Sequence, residues 1–305
     1  MNSKRFVIAD VFTRQRFGGN QLAVFTDGAG LDAATMQDIA REMHFSETTF
    51  LLPPESGGDF RVRIFTPEVE LPFAGHPMVG TGFVIVSEKM KQWSSPLTSV
   101  TLEVGVGPIL VEVQTEGDMA GHTTMTQPLP VVKGSLPDIE PLAKALSLSA
   151  SEIERTGLPV ETVYNGITVM IVPIASRAAI EAIRVDTGAL EEICRKLGAE
   201  TVLTFTHETI EQANTVHCRV FAPAAGVIED AATGSANGAF GYYLVRHRAV
   251  EVKAVTQILS EQGFEMKRPS LLQIEVDVDP TTEEVAAVRV GGGVVISGRG
   301  EILLS

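Results

Sequence analysis

Hydrophobic and polar positions along the chain divide it into short elements. In "RFVIADVFT", Phe6, Ile8 and Asp10 fall on one face and Val7, Ala9 and Val11 on the other, the period of two of a strand. "FGGNQLAVFTDG" is a Gly-rich turn feeding a second strand, closed by Asp27-Gly28. Leu31, Met36, Ile39, Ala40 and Met43 make one apolar stripe, which predicts a helix with Asp32 as its N-cap. "SETTFLLP" and "DFRVRIFTP" read as strands. "MVGTGFVIVSEKM" is apolar on nearly every side until Ser87, the mark of a helix enclosed in a core. "LTSVTLEVGVGPILVEVQTEG" is a run of strands with glycine turns.

Pro-rich "TQPLPVVKGSLP", residues 126 to 137, interrupts the pattern and reads as a linker. It sets two domains, residues 1–126 and 127–305, with the last strand free to pack back on the first. Beyond it, "DIEPLAKALSLSASEIE" and "TGALEEICRKLGAE" read as helices, and "TVMIVPIAS", "TVLTFTH" and "TVHCRVFAP" as strands. "SANGAFGYYLVRH" predicts a second buried helix, and the tail is strand and turn.

The two buried helices are entered in the same way. Arg63-Ile64-Phe65-Thr66-Pro67 stands before "FAGHPMVGTG", and Arg219-Val220-Phe221-Ala222-Pro223 before "ATGSANGAFG". Gly75 then pairs with Gly234, His76 with Ser235, and Gly82 with Gly241. The offset is 156 at the Phe (221 − 65) and 159 at the Gly (234 − 75), so the second copy carries three extra residues in its loop. Strand, loop and helix recur in one order, which points to a duplication.

A helix start entered through glycine exposes unpaired N–H groups at the positive end of the helix dipole. Two such starts can hold a carboxylate or phosphate without basic side chains. This bears on the charge. The formal net charge is −14, against a nucleic-acid partner, and the global field repels an anionic substrate unless local donors hold it. No Walker A motif or Gly-x-Gly-x-x-Gly follows a strand, which disfavours nucleotide binding. No apolar run long enough for a membrane span or signal peptide is present, so the expected location is the cytoplasm, with no membrane partner. Hydrophobic content of 44% with 20% charged residues suits a chain with substantial cores.

Few side chains are placed for chemistry. Glu47 alternates in phase with Phe45, Thr49 and Leu51, which turns its carboxyl toward an apolar face where desolvation raises its pKa. The alternative is a strand-end carboxylate in water. His76 follows Gly75 at a helix start, as a functional group, a cap or a core residue. Asp230, in "GVIEDAATGS", is a functional acid or an ordinary turn residue, and Ser235 a ligand or a cap. His44, His122, His217 and His247 are scattered and suggest no metal cluster. Cys194 and Cys218 stand outside the Gly loops and read as structural.

Together, "FGGNQLAVF", "FSETTFL", "RIFTPEVELPFAGHPMVGT", "FAPAAGVIEDAATGSANGAFG" and "EQGFEMKRPS" resemble the signatures of the PhzF-like family of phenazine biosynthesis, in the family's order along nearly the whole chain. The resemblance implies an α+β fold like that of diaminopimelate epimerase. That fold has two similar domains in a pseudo-twofold arrangement, each a β-barrel-like sheet wrapped around a central buried helix, with the active site between them. It implies a homodimer and a small carboxylate substrate. It also implies an isomerase that moves a proton without a metal or other cofactor, as in isomerisation of trans-2,3-dihydro-3-hydroxyanthranilate.

By the same resemblance Glu47, in Ser-Glu-Thr, removes and returns the proton. His76, in Ala-Gly-His-Pro, and Asp230, before Ala-Thr-Gly-Ser, hold and polarise the substrate. Gly75, Gly234 and Ser235 match the loop positions that bind it. Ala231 and Gln21 stand where the family often has proline. Racemases of this fold use two cysteines at the Gly loops, and here those loops contain none, which favours an isomerase over an epimerase. A ligand-binding homologue without catalysis is the third possibility.

Overall fold

Strands and helices follow one another in the same order in two stretches of the chain. The computed structural model describes residues 2–116 and 119–304. It separates into one unit of Met1–Thr126 with Gly291–Ser305 and another of Gln127–Val290.

In the first unit, strands β1 (Asn2–Val11) and β2 (Asn20–Phe25) form a hairpin with Val11 opposite Asn20. Helix α1 (Ala33–Met43) follows, capped by the Asp32 side chain on the Thr35 N–H. Strand β3 (Glu47–Leu52) returns parallel to β2, placing Leu22 opposite Glu47. Strands β4 (Phe60–Phe65) and β5 (Glu70–Leu71) lead into helix α2 (Gly75–Ser87). Strands β6 (Leu97–Val104), β7 (Gly107–Glu116) and β8 (Met119–Gln127) complete the run.

Every residue of α2 from Gly75 to Val86 is buried, because the helix packs on β1, β2, β3, β6, β7 and the chain's last strand. Gly82 permits this closeness, since a Cβ there would stand 2.5 Å from Val111 Cγ1. Helix α1 covers the other face of the sheet, over Ala23, Phe25, Phe50 and Phe65. Strand β3 is therefore enclosed on both faces, with Thr48, Thr49, Phe50 and Leu51 all buried.

The second unit opens with β9 (Val131–Ser135), α3 (Glu140–Ala145), α4 (Ser151–Glu154), β10 (Glu161–Tyr164) and β11 (Thr168–Pro173). Helices α5 (Arg177–Ala182) and α6 (Thr187–Leu197) precede β12 (Thr201–Thr206), β13 (Val216–Ala222) and β14 (Val227–Asp230). Helix α7 (Gly234–Arg246) is followed by β15 (Val255–Gln262), β16 (Ser270–Val278) and β17 (Val285–Gly292). Helix α7 packs on β10, β11, β12, β15 and β16, and Gly241 meets Ile274 as Gly82 meets Val111. The last strand, β18 (Val294–Leu304), pairs antiparallel with β1.

The two copies match down to single bonds. Arg63 makes a two-pronged bond to Glu70, with both distances 2.6 Å. Arg219 does the same with Glu229, at 2.8 Å. Each guanidinium also lies over the Phe two residues on, at 5.1 Å for Phe65 and 5.2 Å for Phe221. The loop that carries the three extra residues of the second copy opens with a 3-10 turn, Pro223–Ala225.

The structure corrects two expectations. The stretch at 126–137 is not a bare linker: β8 runs to Gln127, and β9 pairs antiparallel with β10. Its prolines flank β9, Pro128 and Pro130 before it and Pro137 after it, so the strand's own N–H groups are free to enter a ladder. The helix expected over "DIEPLAKALSLSASEIE" is two short ones. Ser147 takes a left-handed φ of 59°, and the Leu148 N–H turns back to the Ala143 carbonyl at 2.8 Å, which closes α3.

Candidate active site

Strand β3 and helix α2 build the chemistry of the first unit. The Thr49 hydroxyl meets that of Thr81 on α2 at 3.0 Å, so the odd-numbered side chains of β3 face this helix. Glu47 shares that phase and meets the first turn of α2, where Glu47 Oε2 stands 3.5 Å from His76 Nε2. The Glu47 side chain is only 14% exposed, and Oε2 has no hydrogen-bond partner among the described residues. Removal from water pushes the carboxyl up to about 7, opposed in part by the Ser46 hydroxyl.

His76 is held from its other side. The Ser46 hydroxyl donates to Asn20 Oδ1 at 3.2 Å, and Asn20 Nδ2 donates to His76 Nδ1 at 3.2 Å. With Nδ1 assigned as acceptor, the proton of the neutral ring sits on Nε2, the nitrogen that faces Glu47. Asn20 begins β2 beside β3, so the two neighbouring strands supply the orienting amide and the carboxyl.

The second unit builds a different set around α7. Asp230 ends β14, and Thr233 Oγ1 lies 2.6 Å from Asp230 Oδ2. Thr233 is the N-cap residue of α7, yet its side chain does not cap the helix, because it is turned to Asp230. Ala74, the N-cap of α2, has no side chain that could cap. By contrast α1, α5 and α6 are each capped by an Asp or Ser at their start. The two central helices thus begin without side-chain caps, as do the short helices α3 and α4.

Gly234 and Ser235 are fixed by their carbonyls. Gln127 Nε2 donates to Gly234 O at 2.8 Å, Asn165 Nδ2 donates to Ser235 O at 2.8 Å, and Asn165 Nδ2 also donates to Gln127 Oε1 at 2.6 Å. Gln127 lies so close to α7 that a Cβ at Gly238 would stand 1.9 Å from its Oε1.

Glu47, His76 and Gly75 therefore come together in one unit, and Asp230, Gly234 and Ser235 in the other. Sequence reasoning did not single out Asn20, Ser46, Gln127, Asn165, Thr233 and Gln262. Asn20 and Gln262 lay inside quoted motifs, each next to a glycine, and that was the available signal. A further ionisable cluster, His217 with Glu261 and Glu265, is held against the loop before β13 through Glu261. Among the described residues no group of His, Cys, Asp and Glu is placed to hold a metal ion.

A family model described as phenazine biosynthesis-like protein matches residues 9–300. A trans-2,3-dihydro-3-hydroxyanthranilate isomerase of Pseudomonas chlororaphis is 36% identical over 303 residues, covering 98% of this chain and 99% of the relative. A PhzF family phenazine biosynthesis protein of Bacillus anthracis superposes with a TM-score of 0.88 at 26% identity, over 100% of both chains. A predicted epimerase of Pseudomonas aeruginosa superposes with a TM-score of 0.82 at 32% identity, over 99% of this chain and 100% of that one.

Proposed function

Because the chain belongs to the phenazine biosynthesis-like family, whose named relatives include isomerases, we propose that it moves a proton between carbons of a small cyclic carboxylate, with Glu47 as general acid and base. The observation that carries this reading is the desolvated Glu47 carboxyl, poised at about 7 and 3.5 Å from His76 Nε2. A group half-protonated near neutrality can both take a proton and give it back. In the first step the carboxylate removes a proton from a substrate carbon, leaving a delocalised anion. In the second the same carboxyl returns it to another carbon of the conjugated system, and substrate and product have equal composition.

His76, with its proton on Nε2, and Asp230 hold and polarise the substrate. The first-turn N–H groups of the central helices, free of their own side-chain caps, suit the carboxylate of an anionic substrate in a chain of net charge −14. Gly75, Gly234 and Ser235 line these starts. The relative's named substrate, trans-2,3-dihydro-3-hydroxyanthranilate, is the first compound to offer. A homodimer of such chains in the cytoplasm remains part of the reading.

The test is turnover of that compound by the purified protein in deuterated water, followed by absorbance and mass. A product with a shifted chromophore supports the isomerase. A product of unchanged chromophore and inverted stereochemistry assigns the chain to the epimerases, the second reading, which the likeness to a predicted epimerase favours. No turnover, with tight binding of the compound, makes it a binding protein.

A further inference from the structure

The duplication allows each residue of one copy to be read against its counterpart. In β4 and β6, Arg61 stands opposite Glu103, and in β13 and β15, His217 stands opposite Glu261. Glu103 and Glu261 are thus equivalent, and both do one job. Glu103 accepts the N–H groups of Glu55, Ser56 and Gly58, each at 2.7 Å. Glu261 accepts those of Ile210 and Glu211 at 2.8 and 2.7 Å. Gly105 and Gly263 also match. A Cβ on the first would meet Pro72 Cα at 2.8 Å, and on the second Ala231 O at 2.5 Å. These shared features serve the fold.

The residue between each pair differs. It is Val104 in the first unit and Gln262 in the second, where it is fully buried. Gln262 spends most of its hydrogen bonds on the start of α7, with Cys218 Sγ as a longer contact to its Oε1 at 3.9 Å. Its Nε2 donates to the Asp230 carbonyl at 2.8 Å and to Thr233 Oγ1 at 3.0 Å. Its Oε1 accepts from the Thr233 N–H at 3.1 Å and from Asn237 Nδ2 at 3.0 Å. The backbone partners decide which end of the amide is which, because a carbonyl can only accept and an N–H can only donate.

This orientation has a consequence for Asp230. Since Thr233 Oγ1 accepts from Gln262, its single hydrogen is directed to Asp230 Oδ2, 2.6 Å away. We propose that Gln262 is the positioning residue that, through the Thr233 hydroxyl, holds the Asp230 carboxyl as a hydrogen-bond acceptor for a substrate amine. This rests on the isomerase reading, whose offered compound already carries an amine beside its carboxylate. The first copy has Leu71, Ala74 and Val104 where the second has Asp230, Thr233 and Gln262, so nothing in the duplicated scaffold itself demands these polar groups.

The test compares anthranilate with benzoate, which lacks the amine, by calorimetry on the full chain. The parent and Thr233→Ser are expected to prefer anthranilate by about tenfold or more, as a hydrogen bond to a charged group is worth. Gln262→Met and Thr233→Val are each expected to lose that preference, and the double variant to lose no more than either single one. Gln262→Met should also speed amide exchange over residues 231–236 and leave residues 240–245 unchanged. A parental preference retained in Gln262→Met, or exchange that rises equally along α7 or not at all, overturns the proposal. If the parent binds neither compound, the substrate reading falls, and the exchange pattern alone decides the role of Gln262.

Discussion

Glu47 Oε2 and His76 Nε2 stand 3.5 Å apart across the junction of β3 and α2, both side chains withdrawn from water. Strand phase brings one to the helix and the helix start brings the other to the strand. Neither position is polar in the second copy by the same chemistry. Register places Thr48 opposite Phe65 and Val202 opposite Phe221, so Glu47 corresponds to Thr201, and His76 to Ser235. The chain thus has one carboxyl at this place in its scaffold, not two.

The cost of that carboxyl should show in stability. The folded pKa, about 7, lies above the ordinary 4.5, so the folded state binds the proton more tightly than the unfolded one. This contribution is full below 4.5 and is lost as pH rises through 7. The loss is about 3 kcal/mol at most for such a shift. Denaturant unfolding at pH 5 and 8 should show Glu47→Gln gaining on the parent at the higher pH. An equal difference at both would contradict the account.

The His217 cluster should also lose stability as pH rises, but over a higher window. Burial alone would lower His217, but hydrogen bonds to Glu261 and Glu265 outweigh it and hold the ring up at about 9. The resulting stability is full below the ordinary 6.5 and is lost as pH rises through 9. Glu261 is held down at about 2, because its bonds to His217, to the Ile210 and Glu211 N–H groups and to Asn214 overcome its own desolvation. Its contribution is present above 4.5 and lost as pH falls toward 2. His217→Gln should cost about 3 kcal/mol at pH 6, as for a broken buried pair, and much less at pH 9.5. Unfolding curves at the two values check this.

Gly238→Ala tests the support of the α7 start. The new Cβ would fall 1.9 Å from Gln127 Oε1, so Gln127 must leave Gly234 O and Asn165. The general helix preference for Ala over Gly is about 1 kcal/mol in its favour. A net loss of about 1–3 kcal/mol is expected despite it, since buried polar groups lose partners. A rise in melting temperature would show that Gln127 gives way freely.

Much of this was legible in the chain. The Arg-aliphatic-Phe-small-Pro repeat located both central helices, and the Gly75 and Gly234 starts are where the structure begins them. The phase of Glu47 with Thr49 predicted a desolvated carboxyl. What was hidden are side chains whose meaning lies in a distant partner. Gln262 reads as one polar residue at a strand end, and only the pairing of β13 with β15 brings it to Thr233. Gln127 sat in a stretch read as linker for its prolines, and only the fold shows it against Gly234. The break at Ser147 was missed because a left-handed serine leaves no mark on apolar spacing.

The central claim is that Glu47 carries the proton. Glu47→Gln keeps size and removes the base, and His76 and the helix starts remain to hold a ligand. With trans-2,3-dihydro-3-hydroxyanthranilate as substrate, kcat should fall by about 10² to 10⁴, the usual worth of general acid–base catalysis. Anthranilate affinity should stay within about twofold, well inside the 1.4 kcal/mol that a tenfold change represents. A variant that keeps more than about a tenth of parental turnover contradicts the account and moves the base to Asp230 or His76.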